Sequence, residues 1–344
     1  WIIQPPWPGC AEAARRLGTS ALLTQLLHNR GIIECESART FLNPELKALH
    51  PPELLPGCVQ AARLIAAAAR DGRRIVIYGD YDVDGITATA ILWHVLRLAG
   101  ANISYYIPHR LEEGYGLNAE ALRQIRRDGG EVVVSVDCGI TAVGEAVVAR
   151  ELGLQLVITD HHAFGHSETG RSSDGAPSGD APAPQACGPS GLPAAPVLPH
   201  AAGIVHPRLG AGYPNPDLCG AGVAFKLAWA IARELCQSER VTPEFRAFLL
   251  TATGLAALGT IADVVPLTGE NRVLARYGLS GLREMKLAGL RALIESARLT
   301  DQKIDSEHVV EVVGAGVDAA TEMPWLATEL LEGSSLEAFA QERG

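Results

Sequence analysis

Three aspartates at alternate positions, Asp80, Asp82 and Asp84, sit within the stretch Gly79-Asp80-Tyr81-Asp82-Val83-Asp84-Gly85. Like charges this close resist joint ionisation unless a cation neutralises them. Oxygen donors of this kind suit hard divalent ions such as Mg²⁺ or Mn²⁺. Gly85 lets the backbone turn sharply into whatever follows. Two further acidic positions end short apolar runs: Asp137 after residues 131–136 (EVVVSV), and Asp160-His161-His162 after residues 154–159 (LQLVIT). Neutral imidazole joins carboxylates readily on Mn²⁺, Fe²⁺ or Zn²⁺. Donors from separated segments suit a two-ion centre, which activates a water and stabilises a leaving oxygen in phosphoester hydrolysis. Asp263 follows an apolar helical pattern and by itself carries no weight.

Simpler readings exist for each feature. Asp80–Asp84 also reads as an acidic turn with a helix cap. A calcium loop is disfavoured, because a strand leads in and Trp93 stands where the twelfth-position Glu would be, counting from Asp82. A single histidine is more often structural than a ligand, but two in succession beside several carboxylates are not a single histidine. The chain has no GxSxG elbow and no GxxxxGK[ST] phosphate loop.

The elements that must position these residues alternate. Residues 74–78, 102–107, 131–136, 154–159 and 201–205 read as strands. Residues 60–70, 85–99, 118–127 and 141–152 read as helices, with Asn118 as an N-cap. Such alternation predicts an α/β fold: a parallel sheet flanked by helices, its ligands at the carboxyl ends of the strands. A helix-rich segment follows, with helical patterns at 222–236, 243–261, 271–285 and 288–297, and residues 11–17 and 19–29 read as short helices before the core. The expected organisation is an N-terminal extension at 1–57, a core at 58–164, an insertion at 165–200, the remainder of the domain at 201–310 and a linker at 311–344. Gly, Pro, Ser and Ala supply 24 of the 36 residues of the insertion, too little apolar surface to offset ordering.

Composition bounds the rest. The 344 residues are 47% hydrophobic and 20% charged, which excludes global disorder. The net charge of −10 argues mildly against a surface that coats nucleic acid. Seven widely spaced cysteines without a CxxC pair suggest a reducing, cytoplasmic setting. Neither a secretory signal nor an uninterrupted apolar run of about 20 residues is visible, so no membrane partner is expected. A first residue other than Met reads as a trimmed or partial chain.

These motifs resemble the DHH phosphoesterase superfamily, and within it the family of single-stranded-DNA-specific exonucleases. The resemblance rests on residues 77–87 (IYGDYDVDGIT), 106–110 (YIPHR), 113–117 (EGYGL), 136–140 (VDCGI), 219–227 (CGAGVAFKL) and 259–267 (GTIADVVPL). It runs from the N-terminus to about residue 308 and identifies the core as a DHH domain. It implies a hydrolase with a two-metal Mn²⁺ or Mg²⁺ site that digests single-stranded DNA 5′ to 3′ in repair and recombination. Asp82, Asp84, Asp137, His161 and Asp263 would be metal ligands, with Asp137 bridging. Asp80 and Asp160 would be ligands or orienting groups, Asp160 counted with Asp137 and His162 in the catalytic set. His162 would contact the scissile phosphate, and His109 and Arg110 the substrate phosphates. Helicases and single-strand-binding proteins are conceivable partners that the residues do not identify.

The carboxyl end departs from the family. Where relatives carry a linker resembling GPRLNAAGRM, residues 314–323 read GAGVDAATEM, with Gly316 and Glu322 in the two arginine places. A shifted reading frame would explain this. The family's second domain and OB-fold, which grip single strands by stacking and charge, would be expected to follow and are not seen in the 344 residues. The expectation is an intact metal site with weak or absent processive activity. Two alternatives remain open: a phosphodiesterase for short oligonucleotides or cyclic dinucleotides, and a non-catalytic binding module.

Overall fold

The computed structural model describes residues 4–110, 112–165, 197–210, 212–282, 287–299, 304, 312–317 and 324–328. β-Branched runs form the strands β1 (Ile75–Gly79), β2 (Ile103–Tyr106), β3 (Val132–Val136), β4 (Gln155–Thr159) and β5 (Gly203–Val205). All pair in parallel, in the order β2-β1-β3-β4-β5. Helices α1 (Cys10–Leu17), α2 (Ala21–Asn29), α3 (Cys35–Leu42) and α4 (Cys58–Arg70) precede the sheet. Helices α5 (Val83–Leu98), α6 (Ala119–Arg127) and α7 (Val143–Glu151) connect its strands. Helices α8 (Gly220–Cys236), α9 (Pro243–Ala262), α10 (Gly269–Gly281) and α11 (Ala288–Ser296) follow it. The expected fold class, a parallel sheet flanked by helices and followed by a helix-rich segment, is the one found.

Every residue of β1 and β3 is buried, which is why their sequences are continuously apolar rather than alternating. The period-2 geometry still sorts their side chains. Ile75, Ile77, Val132, Val134 and Val136 join residues of α4, α5, α8 and α9 in one core. Val76, Tyr78, Val133, Leu156 and Ile158 join α6 and α7 in the other. The chain leaves β1 for β2 on one side and returns to β3 on the other. Strand order reverses there, and a crevice opens beyond the carboxyl ends. The acidic motifs follow β1, β3 and β4, three neighbours in the sheet.

Several boundaries differ from the sequence reading. Helix α5 begins at Val83, not residue 85, because the Asp82 side chain accepts from Gly85 N at 2.8 Å and caps it. Asn118 caps α6 as expected, accepting from Glu120 N and Ala121 N. Helix α3 escaped the pattern search, since only Ala38 of its eight residues is buried. Helix α9 is long and apolar enough by length and composition to cross a membrane, with 56% of its apolar window buried inside the fold. It packs against α5, α8 and α10 as a core helix. Within the segment expected to be a linker, β6 (Val312–Val317) pairs antiparallel with β7 (Pro324–Thr328), and Gly316 faces Trp325 in that register. Most of the insertion (166–196) and Glu322 lie outside the described residues.

One buried ion pair ties the helices together. Lys226 of α8 and Glu270 of α10 are both almost fully buried, with Nζ 2.5 Å from Oε1. Lys226 Nζ also donates to the His50 carbonyl at 2.5 Å, and Tyr213 Oη donates to Glu270 Oε2. Burial pulls the Lys226 pKa down, and the Glu270 carboxylate opposes that pull. Further contacts join the N-terminal segment to the same helices, from Arg272 to the Phe41 carbonyl and from Arg233 to Glu53. Removing one partner strands the other charge in the interior, which costs far more than the pair itself contributes. Glu270→Ala is therefore expected to lower unfolding free energy by about 3–5 kcal/mol, and Lys226→Met/Glu270→Leu together by much less; denaturant melts of the three chains measure the difference.

Candidate metal centre

Each acidic group reaches the crevice by a different local device. Asp80 and Asp82 lie in the turn between β1 and α5, and Asp84 in the first turn of that helix. Asp137 follows β3 with a positive φ of 62°, a conformation that Asp tolerates better than most residues. That kink breaks the strand immediately after Val136. Asp160, His161 and His162 follow β4, and Asp263 is the C-cap of α9. Asp80, Asp84, Asp137 and Asp160 are all at most 2% exposed.

His161 Nε2 is the meeting point. It lies 3.1 Å from Asp137 Oδ1, 3.6 Å from Asp84 Oδ2 and 3.7 Å from Asp263 Oδ2. Yet neither His161 Nε2 nor Asp137 Oδ1, both buried, makes a hydrogen bond of acceptable geometry. Native interiors leave few such atoms unsatisfied. Three groupings bring ligand atoms within 4.8 Å of one another: Asp137, His161 and His162; Asp84, His161 and Asp263; Asp80, Asp82 and Asp137. Asp137 and His161 each belong to two of them. A cation is the partner such donors lack, and carboxylates with neutral imidazole are the donor set it needs.

The electrostatics say the same. Burial pushes the Asp80 pKa up to about 7 and that of Asp84 up to about 6, the latter despite N–H donors from α8. Burial, then the charges of Asp84 and Asp82, carry Asp263 up to about 7. Asp137 is raised well above the usual carboxylate range by burial and by four neighbouring aspartates. Burial drives His161 down to about 4, so its imidazole is neutral at pH 7.

Asp160 behaves differently. Oδ1 accepts from His161 N at 2.7 Å and His162 N at 3.1 Å, and lies 2.7 Å from His162 Nδ1; Oδ2 accepts from Ile140 N at 2.8 Å. Burial would raise its pKa, but the His162 hydrogen bond and charge outweigh burial and hold it low. Burial likewise opposes the charge on His162, and Asp160 overrides it to raise the imidazole. Asp160 joins none of the three groupings. His109 and Arg110 also stay outside them: His109 N donates to Glu113 Oε2 at 2.7 Å, and the Arg110 guanidinium lies 5.2 Å from the centre of the Tyr81 ring.

Four contributions were missed in the sequence. Gly220 N and Ala221 N, at the start of α8, donate to Asp84 Oδ2 and Oδ1 at 2.6 and 2.8 Å. A Cβ on Gly220 would sit 2.5 Å from Asp137 Oδ1, and one on Gly259 2.3 Å from Asp84 Oδ1. Tyr115 Oη lies 3.2 Å from His162 Nδ1 and donates to the Asp137 carbonyl at 3.4 Å. His206, fully buried, places Nε2 2.8 Å from the His162 carbonyl oxygen. Small residues opening a helix (CGAG, residues 219–222) were the available signal for the α8 donors and Gly220, since helix N-termini hold anions.

Residues 74–179 match the model of the DHH family, N-terminal domain. The chain is 38% identical over 297 residues to the single-stranded-DNA-specific exonuclease RecJ of Bacillus subtilis (strain 168), an alignment covering 86% of this chain and 32% of that protein. Among solved structures, RecJ from Thermus thermophilus in complex with Mn²⁺ aligns with a TM-score of 0.63 at 31% identity, covering 86% of this chain and 36% of the other. An exonuclease RecJ bound to manganese aligns with a TM-score of 0.59 at 34% identity, covering 77% and 56%. The chain spans about a third to a half of the length of the curated relatives it matches.

Raised carboxyl pKa values fix a sign for stability without metal. Such a group binds its proton more tightly folded than unfolded, so its contribution is fully present at low pH and is lost as pH rises from about 4 through its folded value. In chelator, Asp263→Asn is expected to melt near the parent at about pH 4 and increasingly above it as pH rises, the gap levelling off once pH passes about 7. Thermal melts of both chains across that range measure it; a gap that shrinks with rising pH contradicts the assignment.

Proposed function

We infer function from kinship and geometry together: this is a DHH-domain chain, homologous to the RecJ exonucleases over most of its own length. It is a divalent-metal-dependent phosphodiesterase that shortens single-stranded DNA from the 5′ end, a reaction that serves repair and recombination. The observation that carries the reading is the buried pair Asp137 Oδ1 and His161 Nε2, 3.1 Å apart without a hydrogen bond of acceptable geometry and ringed by Asp84 and Asp263. Unpaired cysteines at the described positions support a reducing compartment.

Mn²⁺ or Mg²⁺ bound there supplies Lewis-acid stabilisation of phosphate charge and a water nucleophile at neutral pH. Asp80, Asp82 and Asp137 would hold one ion, and Asp84, His161 and Asp263 the other, with Asp137 shared. The neutral His161 imidazole offers a lone pair without needing to lose a proton. Asp84 is aimed by the two N–H groups of α8 and cannot swing away. Asp160 is an orienting group: it fixes both histidine main chains and holds His162 at Nδ1. His162 then meets the scissile phosphate through its other ring nitrogen. The Tyr115 hydroxyl, 3.2 Å from Nδ1 and 3.3 Å from Nε2, steadies the same ring. Arg110, stacked on Tyr81 beside the acidic turn, meets a neighbouring phosphate together with His109.

A non-catalytic module would have no need of so many unneutralised buried carboxylates. A phosphodiesterase for short oligonucleotides is separated by substrate length. With 5′-labelled DNA strands of graded length and Mn²⁺, release of labelled mononucleotide from every length supports the proposal; cleavage confined to the shortest strands refutes it. Asp137→Ala is expected to lose Mn²⁺ binding in calorimetry and about 10³-fold or more in rate. His162→Ala is expected to keep Mn²⁺ binding and lose about 10²-fold or more in kcat. Protons compete with the ion for Asp80 and Asp263, so Mn²⁺ affinity is expected to climb as pH rises through about 7 and then level off; titrations between pH 6 and 8.5 would reveal a flat profile if it does not.

A further inference from the structure

The turn after α9 holds an anomaly beside the acidic groups. Val264 has φ +56° and is 86% exposed, the most exposed of the large hydrophobic side chains among the described residues. A β-branched residue in the left-handed region is a genuine outlier, and this is the position after a helix where Gly or Asn usually stands. An exposed valine in such a place gains nothing from burial and has its backbone held against its preference.

The surroundings enforce the conformation. Val264 N donates to the Ile261 carbonyl at 3.1 Å, closing the end of α9. The next residue, Val265, packs on the main core. The fully buried Asn271 side chain donates to the Pro266 carbonyl at 3.1 Å and to the Asp217 carbonyl at 2.7 Å. Held on both sides, the chain presents Val264 outward. Val264 lines a cleft of about 250 Å³ together with Asp82, Val83, Asp84, Ala262 and Asp263. Backbone strain that the rest of the fold over-determines is characteristic of ligand-contact positions.

Resting on the function proposed above, we propose that Val264 is a substrate-contact residue: it packs against the apolar face of a nucleotide, sugar or base, whose phosphate lies at the acidic centre. Three carboxylates, Asp82, Asp84 and Asp263, line the cleft beside Val83 and Ala262 and repel an approaching polyanion. An apolar side chain at the lip supplies attraction that does not depend on charge.

The test uses the full chain, Mn²⁺ and a phosphorothioate-linked DNA strand of about ten nucleotides, with binding read by fluorescence anisotropy. Val264→Asn tolerates the left-handed backbone but removes the apolar surface. It is expected to melt about 1–2 °C higher than the parent and to bind the strand about tenfold more weakly. Val264→Leu, which restores apolar surface, is expected to recover most of the affinity. Calorimetric Mn²⁺ affinity should be equal in all three chains. Strand binding by Val264→Asn equal to the parent's overturns the proposal while leaving the proposed function intact. Loss of Mn²⁺ affinity also overturns it, because the effect then runs through Asp263. A parent chain that binds Mn²⁺ but no DNA overturns both readings.

Discussion

Burial of several carboxylates at one sheet edge, reinforced by their mutual repulsion, is the constraint around which this fold is arranged. Asp80, Asp84, Asp137 and Asp160 are nearly inaccessible, and Asp263 approaches the same imidazole. Isolated carboxylates in such a place would protonate, as the raised pKa values record. The protein offsets the cost for three of them with its own dipoles: Tyr81 N for Asp80, the α8 N-terminus for Asp84, and the turn after β4 with Ile140 for Asp160. Asp137, at the centre, is given no such donors to Oδ1. Leaving it bare while satisfying its neighbours is what separates a cation site from a merely acidic turn.

Two architectural facts allow the crowding. Parallel strands deliver all their carboxyl ends to one edge, so adjacent β1, β3 and β4 place three motifs side by side without long loops. Glycines then let helices come close enough to seal the edge. Gly220 and Gly259 bring α8 and α9 against Asp137 and Asp84, where any Cβ would collide with a carboxylate oxygen. The net charge of −10 therefore says little about what enters the cleft: bound ions are the largest charges in such a site and invert its field.

Much of this was legible in the residues. Short β-branched runs are strands because their side chains pack on a pleated surface, and a motif just after such a run must lie at the sheet edge. That logic located Asp80 to Asp84, Asp137 and Asp160 to His162 without any long-range information. Asp263 was different. Nothing local distinguishes it, and only the family resemblance marked it out before the fold carried α9 across to His161. Asp82 caps α5, as the simpler reading of the acidic turn has it, and its carboxylate also lies among grouped ligand atoms. The donors of α8, the spacing glycines and the Tyr115 contact were invisible because each acts on a residue far away in sequence. Helix α3 lacked an apolar stripe, and the β6–β7 pair lies in a segment whose glycines obscure any strand signal.

The bond from Gly220 to Asp84 spans 136 residues. Closing so long a loop costs entropy that only the finished tertiary packing returns. The α8 dipole, the Asp263 carboxylate and the glycines that let the helices close on the edge all come from the second half of the chain, far in sequence from the carboxylates of the first two strand ends. The centre is therefore complete only when the second half of the polypeptide has docked against the sheet, and its ligand geometry is a property of the whole domain rather than of the acidic turns alone.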